Sequence, residues 1–325
     1  MANIVYLGIT SKCNFRCKHC YLTPIQKNRD MPSERIFSFL DECCKEGIFK
    51  IVYTHGEVFL HPQWVEVLNY GHKNHLIQNI LTNGSLITPE ICEQIEKNKV
   101  KKVILSLDSA NPEFHNKNRN NPRAWDGLRR GIEYLQKYTT TQLSLNSVLS
   151  SWTVNELEKM VDIAISWNVP EIRFLPLHND TIYFKGNNYE LLIKKFSELL
   201  DYTQNKNCTV SVHDPLFTSI IRQKGYNLPT DICGAGSDFL SVHADGEVFP
   251  CNFLNLSLGN IYRQNMAEII KNANKFVNNS QKKRKINCGQ CSLFEKCRGG
   301  CAAFSQFQNC DARCNINFNG DKNAK

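Results

Sequence analysis

Short apolar runs alternate with longer amphipathic stretches along the first 176 residues of the chain. In the longer stretches apolar residues recur at the spacing of an α-helix with one buried face, whereas the short runs are typical of buried strands. This alternation predicts βα units around a parallel sheet, and therefore a mixed α/β fold. The predicted strands span residues 4–9, 48–54, 77–82, 102–107, 142–148 and 171–175, and the predicted helices span residues 33–46, 62–73, 88–97, 122–138 and 153–167.

Two of the predicted helices begin with a capping signal. Thr88 precedes Pro89, and Thr153 lies three residues before Glu156, a spacing that favours a capping box. Parallel sheets keep their chemistry at the carboxyl ends of the strands, so the loop after each strand is the place to look for a site. Residues 13–20 lie in the first of these loops.

The last part of the chain differs from the first. A helix at 189–204 and a strand at 209–213 lead out of the alternating region, and eight of the fifteen cysteines fall at or after Cys233. A hairpin is predicted around Ala244-Asp245-Gly246, and a helix at 264–281 connects two groups of cysteines. We therefore predict two domains, at residues 1–213 and 214–325.

Composition narrows the class of protein. With 42% hydrophobic and 22% charged residues the chain is typical of a globular protein, and it has neither a membrane-spanning apolar run nor a secretory signal. We expect it in the cytoplasm, where cysteines stay reduced and a large number of them indicates metal binding or catalysis. The net charge of +8 is scattered, which favours a solvated surface over a nucleic-acid partner.

Cys13, Cys17 and Cys20 form a compact group of three thiols without a fourth cysteine nearby. A four-iron iron–sulfur cluster takes four ligands, so three cysteines would leave one iron open to another molecule. A zinc site with His19 as the fourth ligand is the alternative. It is disfavoured because His19 adjoins Cys20, and neighbouring residues seldom both reach one tetrahedral ion.

This group, which follows the first strand and precedes Tyr21, resembles the cluster motif of the radical S-adenosylmethionine (SAM) superfamily. The resemblance implies that the open iron binds SAM and that the reduced cluster cleaves it to a 5′-deoxyadenosyl radical, which abstracts hydrogen from a substrate. Residues 54–57, Thr-His-Gly-Glu, resemble the family's Gly-Gly-Glu-Pro motif, whose glutamate holds the SAM amino group. Gly56 and Glu57 match that motif, whereas His55 and Val58 depart from it.

Further polar residues at strand ends resemble the family's SAM contacts. Residues 82–84, Thr-Asn-Gly, follow the third predicted strand. Ser106, Asp108 and Asn146 are candidates for the ribose and carboxylate of SAM, and Arg119 could reach the carboxylate. Each could equally be an ordinary turn or cap residue, and Asp108 could cap the following helix. With Tyr21 as its aromatic neighbour, the predicted SAM-binding set is Tyr21, Gly56, Glu57, Ser106, Asp108, Arg119 and Asn146.

The later cysteines resemble the seven-cysteine SPASM domain, a C-terminal extension in the same superfamily with two auxiliary iron–sulfur clusters. The resemblance implies a partial (β/α)6 TIM-like barrel followed by a small domain with a hairpin and a helix. It assigns one cluster to Cys288, Cys291, Cys297 and Cys314, and the other to Cys233, Cys251 and Cys301.

Two alternatives remain open for these cysteines. Cys310 could exchange roles with Cys314 or supply a missing ligand. A zinc ribbon could use four of the later cysteines but would leave three unexplained. Four cysteines lie outside both motifs. Cys43, Cys44 and Cys92 lie in predicted helices and are expected to be small buried apolar side chains, whereas Cys208 could donate a hydrogen atom in an epimerase.

The resemblance implies a radical SAM oxidoreductase whose auxiliary clusters can accept an electron. We expect the substrate to be a ribosomally made peptide or protein, with a small aminocyclitol, sugar-like molecule or cofactor precursor as the alternative. Because the first predicted strand begins near Ile4, a separate peptide-recognition protein is a possible partner, beside an electron donor such as a flavodoxin or ferredoxin. An electron-transfer protein and a zinc module are minor alternatives. No catalytic acid or base is assigned.

Overall fold

The computed structural model describes residues 2–22, 28–178, 186–228, 232–305, 311 and 313–314. Ten strands in this part of the chain form one sheet in the order β10-β9-β8-β1-β2-β3-β4-β5-β6-β7. The strands are β1 (Ile4–Leu7), β2 (Lys50–Tyr53), β3 (Ile77–Thr82), β4 (Lys102–Ser106), β5 (Gln142–Leu149), β6 (Glu171–Pro176), β7 (Thr209–Val212), β8 (Phe239–Val242), β9 (Glu247–Phe249) and β10 (Gly259–Asn260).

Helices connect most of the parallel strands. Strands β1 to β7 pair in chain order, each parallel to the next, which confirms the predicted α/β fold with a parallel sheet. The helices are α1 (Ser33–Lys45), α2 (Trp64–Lys73), α3 (Pro89–Lys97), α4 (Pro112–Arg119), α5 (Ala124–Tyr138), α6 (Leu157–Ser166), α7 (Gly186–Thr203), α8 (Pro215–Gln223), α9 (Met266–Cys288) and α10 (Phe294–Cys297).

The predicted hairpin is present, but it continues the same sheet. β8 runs parallel to β1 and pairs with its free edge, and β9 and β10 follow in antiparallel order. Residues of both predicted domains therefore share one set of backbone hydrogen bonds. The division at residue 213 stays a prediction, and β1 lies inside the sheet between β2 and β8.

The two faces of the sheet differ because successive side chains of a strand point to opposite sides. One face carries apolar residues such as Leu7, Tyr53 and Leu105, which are buried in one core with helix residues. The other face carries many polar residues. On that face Lys102 Nζ of β4 lies 2.6 Å from Glu171 Oε2 of β6, across the intervening β5. Long side chains thus meet over the polar face.

The helix predicted from residue 153 begins later, at Leu157. Thr153 does not cap it, because its Oγ1 accepts a hydrogen bond from the Ser150 N–H at 2.9 Å and closes a preceding turn. Two short helices, α4 and α8, were not predicted. Both carry a recognisable signal: Asn111 and Asp214 are the capping residues, and a proline follows each one.

Arg313 anchors the C-terminal described residues to the rest of the protein. Its side chain is only 1% exposed, and its guanidinium donates to Asp214 Oδ2 at 2.5 Å and to Asp311 Oδ2 at 2.6 Å. It also lies 3.6 Å from the centre of the Phe304 ring. Asp214 caps α8, so this buried ion network joins the segment before Cys314 to the first residues of that helix.

Replacing Arg313 by Met should lower the free energy of unfolding by about 3–5 kcal/mol, because two carboxylates would lose a buried cation. Urea unfolding of the cluster-free protein measures this change. Arg298→Met is the control, since Arg298 forms an exposed pair with Glu295 that should contribute less than about 1 kcal/mol. Equal losses in both variants would contradict an anchoring role for Arg313.

Candidate active site

The three cysteines of the first motif lie in the loop that leaves the carboxyl end of β1. The Lys18 N–H donates to Asn118 O at 2.9 Å, and the Phe15 N–H donates to Cys13 Sγ at 3.4 Å. Burial raises the pKa of the Cys13 thiol to about 12, and the nearby charges of Glu57, Cys17 and Cys20 add to that rise. The three thiols are therefore close enough to repel one another as thiolates, which favours a shared cation.

The chemistry of these donors fits an iron–sulfur cluster, because iron would replace the protons that burial otherwise retains on the sulfurs. No group of three or more His, Cys, Asp or Glu side chains among the described residues is arranged to hold a metal ion. The fit therefore rests on thiol chemistry and proximity, and the assignment of Cys13, Cys17 and Cys20 stays a prediction.

The turn at residues 55–57 packs directly on the cysteine loop. Gly56 has φ +77°, and a Cβ at this position would lie 2.5 Å from Lys12 O and 2.8 Å from Thr10 O. The Glu57 N–H donates to the same Lys12 oxygen at 2.8 Å. Only glycine fits here without displacing the backbone of the cysteine loop, which explains why Gly56 matches the family motif.

Glu57 is completely buried at the ends of β2 and β3. Its Oε1 accepts from Thr82 Oγ1 at 2.7 Å, and its Oε2 accepts from the Asn83 N–H at 3.0 Å. Burial nevertheless raises the pKa of this carboxyl to about 7. A hydrogen bond from the Phe59 backbone and the charge of Arg119 also oppose this rise without cancelling it. A buried carboxylate in this state is stabilised by a further cation nearby, so the geometry fits an ammonium group such as the SAM amino group.

Asp108 and Arg119 form a buried pair beside the cysteine loop. Arg119 Nη2 donates to Asp108 Oδ1 at 2.6 Å, Asn118 Nδ2 donates to Asp108 Oδ2 at 2.8 Å, and Arg119 Nη1 lies 3.7 Å from Cys17 Sγ. Although burial opposes ionisation, the Arg119 guanidinium holds the pKa of Asp108 below its usual value. Both oxygens of Asp108 are engaged by protein donors, so the geometry favours Asp108 as the residue that holds Arg119 in place.

Ser106 and Asn146 lie opposite each other on β4 and β5, near the carboxyl ends of these strands. The Oδ1 atom of Asn146 is buried and has no hydrogen-bond partner among the described residues. A buried amide oxygen without a partner is costly unless a ligand supplies a donor. This orphaned atom supports the prediction that Asn146 contacts SAM, whose ribose hydroxyls are donors.

Tyr21 and His55 connect the first cysteine loop with the loop after Cys251. The Tyr21 ring centre lies 5.2 Å from that of Phe253 and 6.0 Å from that of His55. The Nε2 atom of His55 lies 2.9 Å from Asn252 Oδ1. The sequence indicated that His55 departs from the family motif but did not reveal its contact with Asn252, which is 197 residues away.

The larger residue at position 55 is accommodated by a glycine elsewhere. A Cβ on Gly8 would lie 2.7 Å from His55 Nδ1, so a side chain at position 8 would collide with the imidazole. Burial lowers the pKa of His55 to about 3, which keeps the ring neutral. The pairing of Gly8 with His55 explains how this chain tolerates the departure.

Several of the later cysteines lie close enough to another cysteine for its charge to affect their pKa. Burial raises the pKa of Cys251 to about 12, and the charge of Cys233 adds to the rise. Cys301 likewise has a pKa raised by burial and by Cys233. In the other group burial raises the pKa of Cys297, and the charge of Cys291 adds to it.

Three other cysteines complete the comparison with the predicted ligand sets. In the structure Cys288 is disulfide-bonded, and ligation would require it as a thiolate instead. Cys314 donates its N–H to Asp311 O at 2.9 Å. Cys310 lies outside the described residues. The sharing of cysteines between the auxiliary clusters stays a prediction.

Two family models match the chain. The model of the radical SAM superfamily matches residues 7–164, and the model of the iron–sulfur cluster-binding SPASM domain matches residues 233–299. The chain is a radical SAM protein with a SPASM domain. Its cofactors are therefore SAM, the four-iron cluster of the first domain and the auxiliary iron–sulfur clusters of the second.

The relatives of this radical SAM enzyme differ in their named activities. It is 28% identical to an AdoMet-dependent heme synthase of Methanosarcina barkeri, over 90% of this chain and 88% of the relative. It is 27% identical to the radical SAM cyclopropyl synthase TigE of Paramaledivibacter caminithermalis, over 91% and 67%. SuiB of Streptococcus suis, solved with its precursor peptide SuiA, has the same fold, with a TM-score of 0.80, 16% identity and coverage of 97% and 76%.

No helix in the described part of the enzyme is long and apolar enough to cross a membrane.

Replacing Gly56 by Ala should destabilise the enzyme by about 1–3 kcal/mol more than Gly47→Ala, measured by urea unfolding. Both glycines have φ near +75°, but a Cβ on Gly47 would meet no atom within 4 Å. Both variants therefore carry the cost of alanine in left-handed backbone, about 1–2 kcal/mol. The difference between them measures the collision with the cysteine loop. Equal losses of stability in the two variants would contradict the close approach of Gly56 to the cysteine loop.

Glu57 should make the cluster-free protein less stable as pH rises from about 4.5 to 7. Within this window the folded state retains a proton on Glu57 that the unfolded state releases, because the pKa rises from 4.5 to about 7. Stability falls when the unfolded state binds fewer protons, here by about 3 kcal/mol over the window.

Urea titrations at several pH values measure this effect as the difference between wild type and Glu57→Gln, which lacks the titrating carboxyl. Glu158→Gln, an exposed change on α6, is the control. A difference between wild type and Glu57→Gln that does not change with pH would rule out the raised pKa.

Proposed function

We propose that this protein is a radical SAM oxidoreductase that modifies a ribosomally made peptide or protein. Glu57 carries the proposal, because it is a fully buried carboxyl beside the cysteine loop that accepts hydrogen bonds but forms no ion pair within the described part of the chain. The positively charged amino group of SAM would neutralise this carboxylate. When bound, the cluster and SAM supply a radical that removes hydrogen from the substrate.

Each predicted SAM-binding residue would have its own role in binding SAM. Glu57 would bind the amino group, Arg119 the carboxylate, and Ser106 with Asn146 the ribose. Asp108 would orient Arg119 through its 2.6 Å ion pair. Tyr21, which packs on Phe253, would exclude water from the region between the first cysteine loop and the loop after Cys251.

A peptide substrate is supported by the shared fold with SuiB, which was solved with its precursor peptide. The auxiliary clusters are suited to accept an electron from the substrate. Under this proposal the protein works in the cytoplasm with an electron donor such as a flavodoxin or ferredoxin, and a separate peptide-recognition protein is a further candidate partner.

A second candidate function is modification of a cofactor precursor. It is favoured by the likeness to a heme synthase, which at 28% identity covers nearly the whole of both chains. The two candidates share the SAM chemistry and differ in the substrate. Formation of 5′-deoxyadenosine above the basal rate distinguishes them, when peptides encoded beside the gene and porphyrins with propionate side chains are supplied in turn.

The first test is the iron and sulfide content of the anaerobically reconstituted protein. We expect about twelve irons with matching sulfide per chain, as three four-iron clusters require. Dithionite and SAM should then give 5′-deoxyadenosine. Stoichiometric zinc with little iron would overturn the proposal.

Glu57→Gln should weaken SAM binding by about tenfold or more while leaving the iron content unchanged, because the amide cannot neutralise an ammonium. Equilibrium dialysis of labelled SAM against the reconstituted protein measures the affinity. Glu158→Gln serves again as the matched control. Unchanged affinity in Glu57→Gln would remove Glu57 from the site.

A further inference from the structure

The polar face of the sheet carries more cations than anions below the predicted SAM site. Lys50 and Lys102 are the first residues of β2 and β4, and Glu171 and Arg173 lie near the start of β6. Strand alternation places all four on the face opposite the apolar core. We call these four residues the inner cation cluster. It holds three positive side chains and one carboxylate.

Strands β2 and β6 are four positions apart in the sheet, which would separate them by about 19 Å if the sheet were flat. Burial lowers the pKa of Lys50, and the charges of Lys102 and Arg173 nevertheless act on it from across the sheet and lower it further. The sheet therefore curves toward this face, and side chains from alternate strands converge within it.

Glu171, the one carboxylate of the cluster, already pairs with two cations. Glu171 Oε2 lies 2.6 Å from Lys102 Nζ, and Glu171 Oε1 lies 2.9 Å from Arg173 Nη2. Lys50 has no carboxylate within ion-pair distance among the described residues. His213 adds no charge, because burial and the nearby Arg173 lower its pKa to about 4.

Several donors at the cluster have no acceptor in the part of the chain that the structure describes. The Nε of Arg173 is buried and has no hydrogen-bond partner. Ser144 of β5 and Ser211 of β7, on the strands that flank β6, have buried hydroxyls in the same condition. Ser144 is completely buried. Partly buried cations and unsatisfied donors on one surface are the features of a site for an oxyanion.

The cluster also adjoins the predicted SAM contacts. Arg173 lies directly opposite Asn146 in the β5–β6 register, and Asn146 lies opposite Ser106. A substrate held by the cluster would therefore extend along the same face toward the SAM site. A carboxylate is the anionic group that both candidate substrate classes share, as a peptide terminus or acidic side chain, or as a propionate.

We propose that Lys50, Lys102 and Arg173, with the hydroxyls of Ser144 and Ser211, bind a carboxylate of the substrate. Glu171 orients two of the cations and lowers the net charge of the site. This inference rests on the proposed function only in that the bound carboxylate belongs to the substrate. The site itself is a property of the folded chain.

The test is calorimetric titration of the reconstituted protein with citrate, a small tricarboxylate probe. Lys50→Gln and Arg173→Gln should each weaken binding by about tenfold. Glu171→Gln should strengthen it by a similar factor, because the competing internal carboxylate is removed. Lys159→Gln, an exposed change on α6, is the control and should leave the affinity unchanged.

The variants separate binding from structural support. Lys50 has no ion pair in the described structure, so Lys50→Gln should fold even if Arg173→Gln does not, and thermal melting checks each variant. Absence of citrate binding by the wild type, or an affinity that neither Lys50→Gln nor Glu171→Gln changes, would overturn the site. Citrate binding does not require SAM cleavage, so a protein that binds citrate but forms no 5′-deoxyadenosine would contradict the proposed function alone.

Discussion

The position of β1 between β2 and β8 is the constraint on which the site depends. The Thr54 N–H donates to Leu7 O at 2.9 Å on one side of β1, and the Gly8 N–H donates to Val242 O at 2.8 Å on the other. The carboxyl ends of the three strands therefore align. As a result the first cysteine loop, the turn with Glu57 and the hairpin before Cys251 all meet at one edge of the sheet.

That alignment also explains why small residues occur where they do. Three chain segments meet beyond the end of β1, and their backbones lie close together there. Gly56 lets its turn touch the cysteine loop, and Gly8 leaves room for the imidazole of His55. His55 in turn reaches Asn252, next to a predicted ligand of an auxiliary cluster. Contacts with the SPASM region are thus built into the end of the barrel.

The electrostatics of the polar face are incomplete in two opposite ways. Near the cysteine loop, Glu57 is a buried carboxyl with hydrogen-bond donors but no ion pair among the residues that the structure describes. Toward the amino ends of the strands, the three cations of the inner cation cluster outnumber its one carboxylate, Glu171. Buried charges without partners are costly, so they are found where a ligand completes them. One face of the sheet is in this way suited to hold an ammonium at one end and a carboxylate at the other.

Much of the fold was predictable, because local periodicity determines whether a segment is a strand or a helix. All six strands predicted before residue 176 are present, and their ends differ by no more than two residues. The start of α6 was wrong, because Thr153 closes a turn with Ser150. Helices α4 and α8 were missed although Asn111-Pro112 and Asp214-Pro215 are recognisable start signals, since the two helices have only eight and nine residues.

The sequence by itself determined the parallel α/β architecture, the grouping of the cysteines and the family, because strand periodicity and cysteine spacing are local properties of the chain. Only the tertiary structure decided that β8 joins β1, that Asp108 binds Arg119, and that Lys102 and Arg173 share one carboxylate. These arrangements bring together residues as far apart in the chain as Ile4 and Phe239. Strand order and sheet curvature set such contacts, and no local pattern records them.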